Sequence, residues 1–321
     1  MYVRKEALLS SQIEGTQSSL SELLLFEADL APGAPLDDVV EVSNYVAAMN
    51  HGLNRLRDDF PISTRLVREI HAVLLADGRG ARQQPGEFRR TQNRLGGTRP
   101  GNAAFVPPPP DRVADLMSDL ERFIHCDTPE LPPPLKAGLV HVQFETIHPF
   151  LDGNGRLGRL LITWLPWAAG VLQDSTLYLS MFFKTHRDLY HERLQAVRER
   201  GAWEEWLEFF LEGVTATSRQ AAETARELLA LFERDRVRIE GLGRPAASAL
   251  RVHQRLQQNP ILAVPNAARE LRLSVPTVTK SIRHLEALDI VHEITGKRQG
   301  RRYAYTDYLA ILNRGTEPLP R

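Results

Sequence analysis

Apolar residues recur at helical spacing along most of this chain, and that pattern restricts it to a mainly α fold. Leu157, Leu160, Leu161, Trp164 and Leu165 follow i, i+3, i+4, i+7 and i+8, the stripe of a helix with one buried face. Trp203, Trp206, Leu207, Phe210 and Leu211 repeat it, and Ala221, Ala225, Leu228, Leu229 and Phe232 do so again on a longer helix. Proline runs at Pro107–Pro110 and Pro132–Pro134 interrupt regular structure, the second ahead of a helix through Leu139 and Phe144. Between Gln83 and Pro110 the chain is rich in Gly, Pro and Asn. That stretch reads as a long loop with room for a short hairpin.

The character changes after Gly241-Leu242-Gly243-Arg244-Pro245, which reads as a hinge. Beyond it, Pro265 to Leu271 suits a short helix, Arg272 and Leu273 a turn, and Ser274 an N-cap. Pro276 then falls in the first turn of a helix that buries Val278, Ile282, Leu285 and Leu288. Ile290 and Val291 start a strand, Gly296–Arg302 makes a basic turn, and Tyr303–Tyr305 returns as a second strand. Residues 246–321 therefore suggest a winged helix-turn-helix domain. Thr277, Thr279, Lys280 and Arg283 are placed to face a DNA major groove, and the basic turn to meet phosphate. Docking of a protein is the alternative use of such a module.

Lys plus Arg balances Asp plus Glu at 40 each, so any nucleic-acid contact has to come from a local patch rather than the whole-chain field. Cys126 is the single cysteine, which excludes an internal disulfide and a cysteine-based metal cage. No run approaches the roughly 20 apolar residues that span a bilayer. The first residues carry Arg4, Lys5, Glu6 and Glu14 instead of a signal-peptide core. A soluble cytoplasmic protein without membrane contact is the expectation.

The segment His148-Pro149-Phe150-Leu151-Asp152-Gly153-Asn154-Gly155-Arg156-Leu157-Gly158-Arg159 carries the chemistry. It lies between two helices. Gly153 and Gly155 allow positive φ and close approach of a ligand to the backbone. Amides of such a turn, opening into a helix N-terminus, form a donor site for anions. Arg156 and Arg159 share a helix face and can reach one polyphosphate. Asp152 supplies a hard oxygen ligand for Mg²⁺, and His148 is suited to take a proton from a hydroxyl.

This segment resembles the signature loop of the Fic family, His-Pro-Phe-x-Asp/Glu-Gly-Asn-Gly-Arg-x-x-Arg, at every specified position. The resemblance implies a helical Fic core with a short β-hairpin flap over residues 31–240, and transfer of AMP from ATP to Ser, Thr or Tyr of a target protein. It makes His148 the general base and Asp152 the Mg²⁺ ligand. Gly153, Asn154 and Gly155 become the anion hole, with Arg156 on the phosphates and Arg159 on the γ-phosphate. Gly86-Glu87-Phe88-Arg89 and Asn102 to Pro108 resemble the flap region, which orients the target side chain. Tyr178-Leu179-Ser180 and Tyr190 resemble the stretch that completes the adenine pocket.

Ser10-Ser11-Gln12-Ile13-Glu14-Gly15 fits Ser/Thr-x-x-x-Glu-Gly/Asn and resembles the inhibitory helix of Fic proteins that carry it N-terminally, here over residues 1–30. That resemblance pairs Glu14 with Arg159, so that a carboxylate occupies the γ-phosphate position and ATP binds unproductively. Ser10 and Gly15 complete the pattern. Two other classes stay open: a Fic-type transferase that uses another nucleotide or removes AMP, and a transcription regulator that senses nucleotide. The target protein is not legible, and Fic cores that pair leave a homodimer open.

Overall fold

The computed structural model describes residues 1–27, 36–126, 128, 130–172, 177–296 and 300–319. Its helices are α1 (Tyr2–Ile13), α2 (Leu20–Glu27), α3 (Leu36–Arg57), α4 (Thr64–Leu74), α5 (Val113–His125), α6 (Pro133–Ile147) and α7 (Asn154–Ala168). They continue through α8 (Ser180–Thr185), α9 (Arg187–Arg200), α10 (Trp203–Glu240), α11 (Ala246–Gln258), α12 (Val264–Leu271), α13 (Val275–Ala287) and α14 (Thr306–Asn313). Three short strands, β1 (Ile261–Ala263), β2 (His292–Glu293) and β3 (Arg302–Ala304), form the named sheet. The chain is mainly α, as its periodicity requires. Packing divides it into two units. One holds Tyr2–Ser19, Gly33–Ser218 and Pro318–Arg321, and the other holds Met1, Leu20–Pro32 and Arg219–Glu317.

In the first unit α7 is the central element. Its expected stripe, Leu157, Leu160, Leu161, Trp164 and Leu165, is buried, and Ile162 and Thr163 on the opposite side are buried too. Each large apolar side chain so buried contributes roughly 1.5–3 kcal/mol. Helices α6, α3, α4 and α1 all pack on α7, while α1 also packs on α3 and α8. Local signals set the ends of these helices. Ser63 caps α4 by accepting from the Leu66 amide at 3.3 Å, and prolines occupy the first positions of α6, where no helical N–H partner is needed. Across 83–110 the expected hairpin reduces to one antiparallel bridge, Leu95 with Phe105.

In the second unit α11, α12 and α13 pack with the antiparallel sheet, whose strand order is β1-β3-β2. Ser274 caps α13 through the Thr277 amide, and Arg272 ends α12 in the left-handed conformation. The strands sit one to two residues from where the sequence places them. The hydroxyls of Thr277 and Thr279 bond locally, to Ser274 and to the Val275 carbonyl. Lys280 and Arg283 are exposed, whereas Lys297, Arg298 and Gln299 of the basic turn lie outside the described residues. The hinge read at Gly241–Pro245 falls between α10 and α11. No helix among the described residues is long and apolar enough to cross a membrane.

Candidate active site

The loop begins where α6 ends. His148 closes that helix with a left-handed backbone (φ 49°, ψ 61°), its N–H bonded to the Phe144 carbonyl at 2.9 Å. A non-glycine residue held there costs on the order of 1 kcal/mol, so its surroundings must fix it. Phe150 turns into the core and stacks on His71, ring centroids 3.7 Å apart. The Gly86 amide donates to Nδ1 of His71 at 2.8 Å, which leaves the ring proton on Nε2 to donate to the Asp152 carbonyl at 3.0 Å. Asn154 spends its side chain inside the loop, accepting from the Phe150 amide and donating to the Phe150 carbonyl, both at 2.9 Å. Gly153 takes φ 78° at the N-cap of α7. The first helical bond runs from the Leu157 amide to the Gly153 carbonyl, so the amides of 154–156 have no acceptor within the helix. They form a donor face at the positive end of the helix dipole.

Beside this face lies a cavity of about 390 Å³. His148, Gly155 and Arg159 line it together with Glu14, Glu145, Tyr190, His191, Arg198 and the bridge residues Leu95 and Phe105. Burial, and then the charge of Arg198, push the His148 pKa down to about 4. The ring is therefore neutral at pH 7 and free to accept a proton. Its Nδ1 stands 3.8 Å from Oε2 of Glu145, a carboxyl whose pKa burial raises to about 7. Arg159 is 2% exposed and is held through Nε and Nη2 by Ser10 of α1 and by Glu14, just after it. Nε donates to the Ser10 hydroxyl at 2.7 Å, while Nη2 donates to the Ser10 carbonyl at 3.0 Å and to Oε1 of Glu14 at 2.6 Å. Burial alone would raise the Glu14 pKa, but the charges of Arg159 and Arg156 hold it below the usual carboxylate range. Gly155 lies directly beneath: a Cβ there would come 2.3 Å from Oε1 of Glu14, so the carboxylate would have to shift. Gly15 follows α1 with φ 98°.

Asp152 and Arg156 are not among the lining residues of this cavity. Arg156, 5% exposed, directs Nη2 at Asp152 and Nη1 at Glu41, each 3.6 Å away, and among the described residues its Nε and Nη1 have no hydrogen-bond partner. Tyr190 lines the cavity with its hydroxyl bonded to His141 at 2.8 Å. Tyr178 stacks instead on Tyr2 of α1, and Ser180 bonds Glu6. Sequence reasoning singled out neither Glu145, Arg198, His71 nor Glu41. The i−3 spacing of Glu145 from His148 on α6 was the one available signal.

A buried arginine, the first amides of α7 and a neutral imidazole thus meet around one cavity of a mainly helical chain. The matches to known proteins fall on the segments that supply them. The Fic/DOC family model matches residues 61–165, and the Fic/DOC family N-terminal model matches residues 1–54. Protein adenylyltransferase Fic of Culex quinquefasciatus is 33% identical over 196 residues, covering 58% of this chain and 35% of that protein. The Drosophila yakuba protein of the same name is 34% identical over 161 residues, 49% of this chain and 31% of that one. The chain thus spans about a third of the length of these curated relatives. Among solved structures, a Fic family protein from Desulfovibrio desulfuricans G20 shares the fold, with TM-score 0.59 and 21% identity over 95% of this chain and 86% of that chain. Fic-1 from C. elegans (aa134–508) matches with TM-score 0.52 and 20% identity over 68% and 62%. The match to the Fic/DOC family thus covers residues 1–54 and 61–165.

Proposed function

We propose that this chain transfers AMP from ATP to a hydroxyl of a target protein, and that Glu14 holds it mostly off. One observation carries the reading: Arg159 reaches the cavity beside His148 and is already occupied by Ser10 and Glu14. A γ-phosphate offers a guanidinium the same kind of partner as a carboxylate, so ligand and Glu14 compete for one group. In the transfer step the target oxygen bonds to the α-phosphorus, the bond to the leaving diphosphate breaks, and the neutral imidazole of His148 takes the hydroxyl proton. The amides of 154–156 and Arg156 would face the developing charge on the phosphates.

Asp152 fits an ion that arrives on the nucleotide. Its side chain is 46% exposed, one oxygen accepts from the Gly153 amide at 2.6 Å, and Mg²⁺ commonly uses few protein carboxylates beside phosphates. When bound there, Mg²⁺ supplies neutralisation of phosphate charge. These contacts read phosphate rather than base, and the mass shift of protein treated with each nucleoside triphosphate identifies the donor. Glu14→Gly should raise label transfer from radioactive ATP, self-modification included, by at least about tenfold over wild type. Equal labelling of the two proteins sinks the brake. No label on protein from any nucleoside triphosphate sinks the transferase reading itself.

A further inference from the structure

Arg89 is among the largest fully buried side chains, 2% exposed, yet among the described residues no carboxylate pairs with it. Carbonyl oxygens meet its guanidinium instead. Nε donates to His148 O at 2.9 Å, and Nη2 to Ile147 O at 3.3 Å and Pro108 O at 2.5 Å, while Nη1 reaches Thr91 O at 3.4 Å. The Arg89 amide donates to Pro149 O at 2.9 Å, and Asn93 Nδ2 donates to Phe150 O at 2.7 Å. Four successive carbonyls, 147 to 150, are thus all held from one short segment. Burying an unpaired cation is expensive, so its retention needs donors that nothing smaller supplies. A guanidinium provides five in a fixed plane and suits the negative end of α6, whose last carbonyls lack helical donors.

The same group closes the neck of the 83–110 loop. Thr91 lies on its outgoing leg and Pro108 on its return, and Gln92 adds a bond to Pro107 O at 2.8 Å. Beyond the neck the Leu95–Phe105 bridge lines the cavity. One side chain therefore touches both legs of the flap and the carbonyl of the residue that carries the imidazole.

We propose that Arg89 is a positioning residue that fixes the flap relative to His148, so that an acceptor hydroxyl laid along Leu95–Phe105 meets the imidazole at a set distance. This rests on the transferase reading above. It does not rest on Glu14, and nucleotide binding by the loop amides, Arg156 and Arg159 stays separate from it. In a Glu14→Gly background, Arg89→Lys keeps the charge and loses the planar fork. Self-labelling from radioactive ATP should then fall about 100-fold through kcat, because small misplacements of reacting groups cost that much, while KM for ATP moves less than about threefold. Labelling that persists, or an affinity for ATP that falls as far as the labelling, overturns the proposal. Amide hydrogen exchange at Leu95 and Phe105 reads the lock without any catalysis. It should quicken at least about tenfold in Arg89→Lys, and unchanged exchange refutes the lock even if the parent transfers nothing. Should Arg89→Lys fail to fold, Asn93→Ala removes the bond from that segment to Phe150 O and leaves the one from Asn154. It should lower labelling and quicken the same amides several-fold, and no change in either overturns the proposal.

Discussion

Two segments grip the loop between α6 and α7, and they do so with different chemistry. From one side Ser10 of α1 and Glu14 just after it hold a side chain at the start of α7, Arg159, through a hydroxyl and a carboxylate. From the other, residues 86–93 hold main-chain carbonyls of 147–150. A phosphate can displace the first set because it offers the same acceptors to the same guanidinium. It cannot displace the second, which consists of donors already spent on carbonyl oxygens. On the proposed reading, control sits where a ligand competes, and alignment sits where it does not. The magnitudes agree. Glu14 is 42% exposed and makes one polar contact to a guanidinium that is 2% exposed. The docking of α1 rests on buried Ala7, Leu8, Leu9 and Ile13, at up to roughly 1.5–3 kcal/mol for each larger side chain. Removing Glu14 should take the charged partner from Arg159 and leave α1 and its Ser10 bonds in place.

The hardest test of this division lies where the two grips meet. His148→Ala in the Glu14→Gly background should lower transfer about 10³-fold or more, the scale of a lost general base, with ATP affinity nearly unchanged. Activity near the parent's would move the base elsewhere and leave the main-chain grip with nothing to align. Ser10→Ala in the otherwise wild-type protein sharpens the other side. It removes the acceptor of Arg159 Nε but leaves Glu14, so transfer should rise only about three- to fivefold, well below the effect of Glu14→Gly. A rise as large as that of Glu14→Gly would mean that docking of α1, and not occupation of Arg159, is the brake.

The sequence made the competitive grip legible and hid the aligning one. The loop is contiguous, so its turn glycines, arginines and histidine show their chemistry at fixed spacing. Glu14 acquires meaning once the loop is recognised, since a lone glutamate after a helix carries none. The bonds of Arg89, His71 and Glu41 join residues tens to over a hundred positions apart, and no periodicity records that. The long helix α10 shows a second limit. Leu229 belongs to the apolar stripe but is 68% exposed, while Leu228 and Leu231 are buried. The whole stripe lies in the half of α10 from Arg219 onward, and spacing alone does not show that Leu231 rather than Leu229 is covered there.

The smallest expected effect concerns Glu6, one helical turn before Ser10 on α1. Its carboxyl is 3% exposed and accepts from the Ser180 hydroxyl at 2.5 Å, the Ser180 amide at 3.2 Å and the Tyr45 hydroxyl at 3.4 Å. Burial raises its pKa from 4.5 to about 7, against the opposing pull of the Ser180 bonds and the Arg159 charge. Docked α1 thus holds the proton more tightly than a released helix would. Its contribution to docking is complete below the ordinary carboxyl pKa of 4.5 and is lost as pH rises through about 7. Release of α1 frees Arg159, so wild-type transfer should climb with pH across that window. Glu6→Gln stays neutral and should not climb in the same way. His148, with its pKa near 4, stays neutral throughout, and Glu145, which titrates near 7, is present in both proteins. The ratio of wild-type to Glu6→Gln transfer therefore isolates Glu6, and it should grow about two- to fourfold between about pH 6 and pH 8. A flat ratio would show that α1 keeps its grip whatever the charge on Glu6, leaving Glu14 and Ser10 as the contacts that a phosphate must displace.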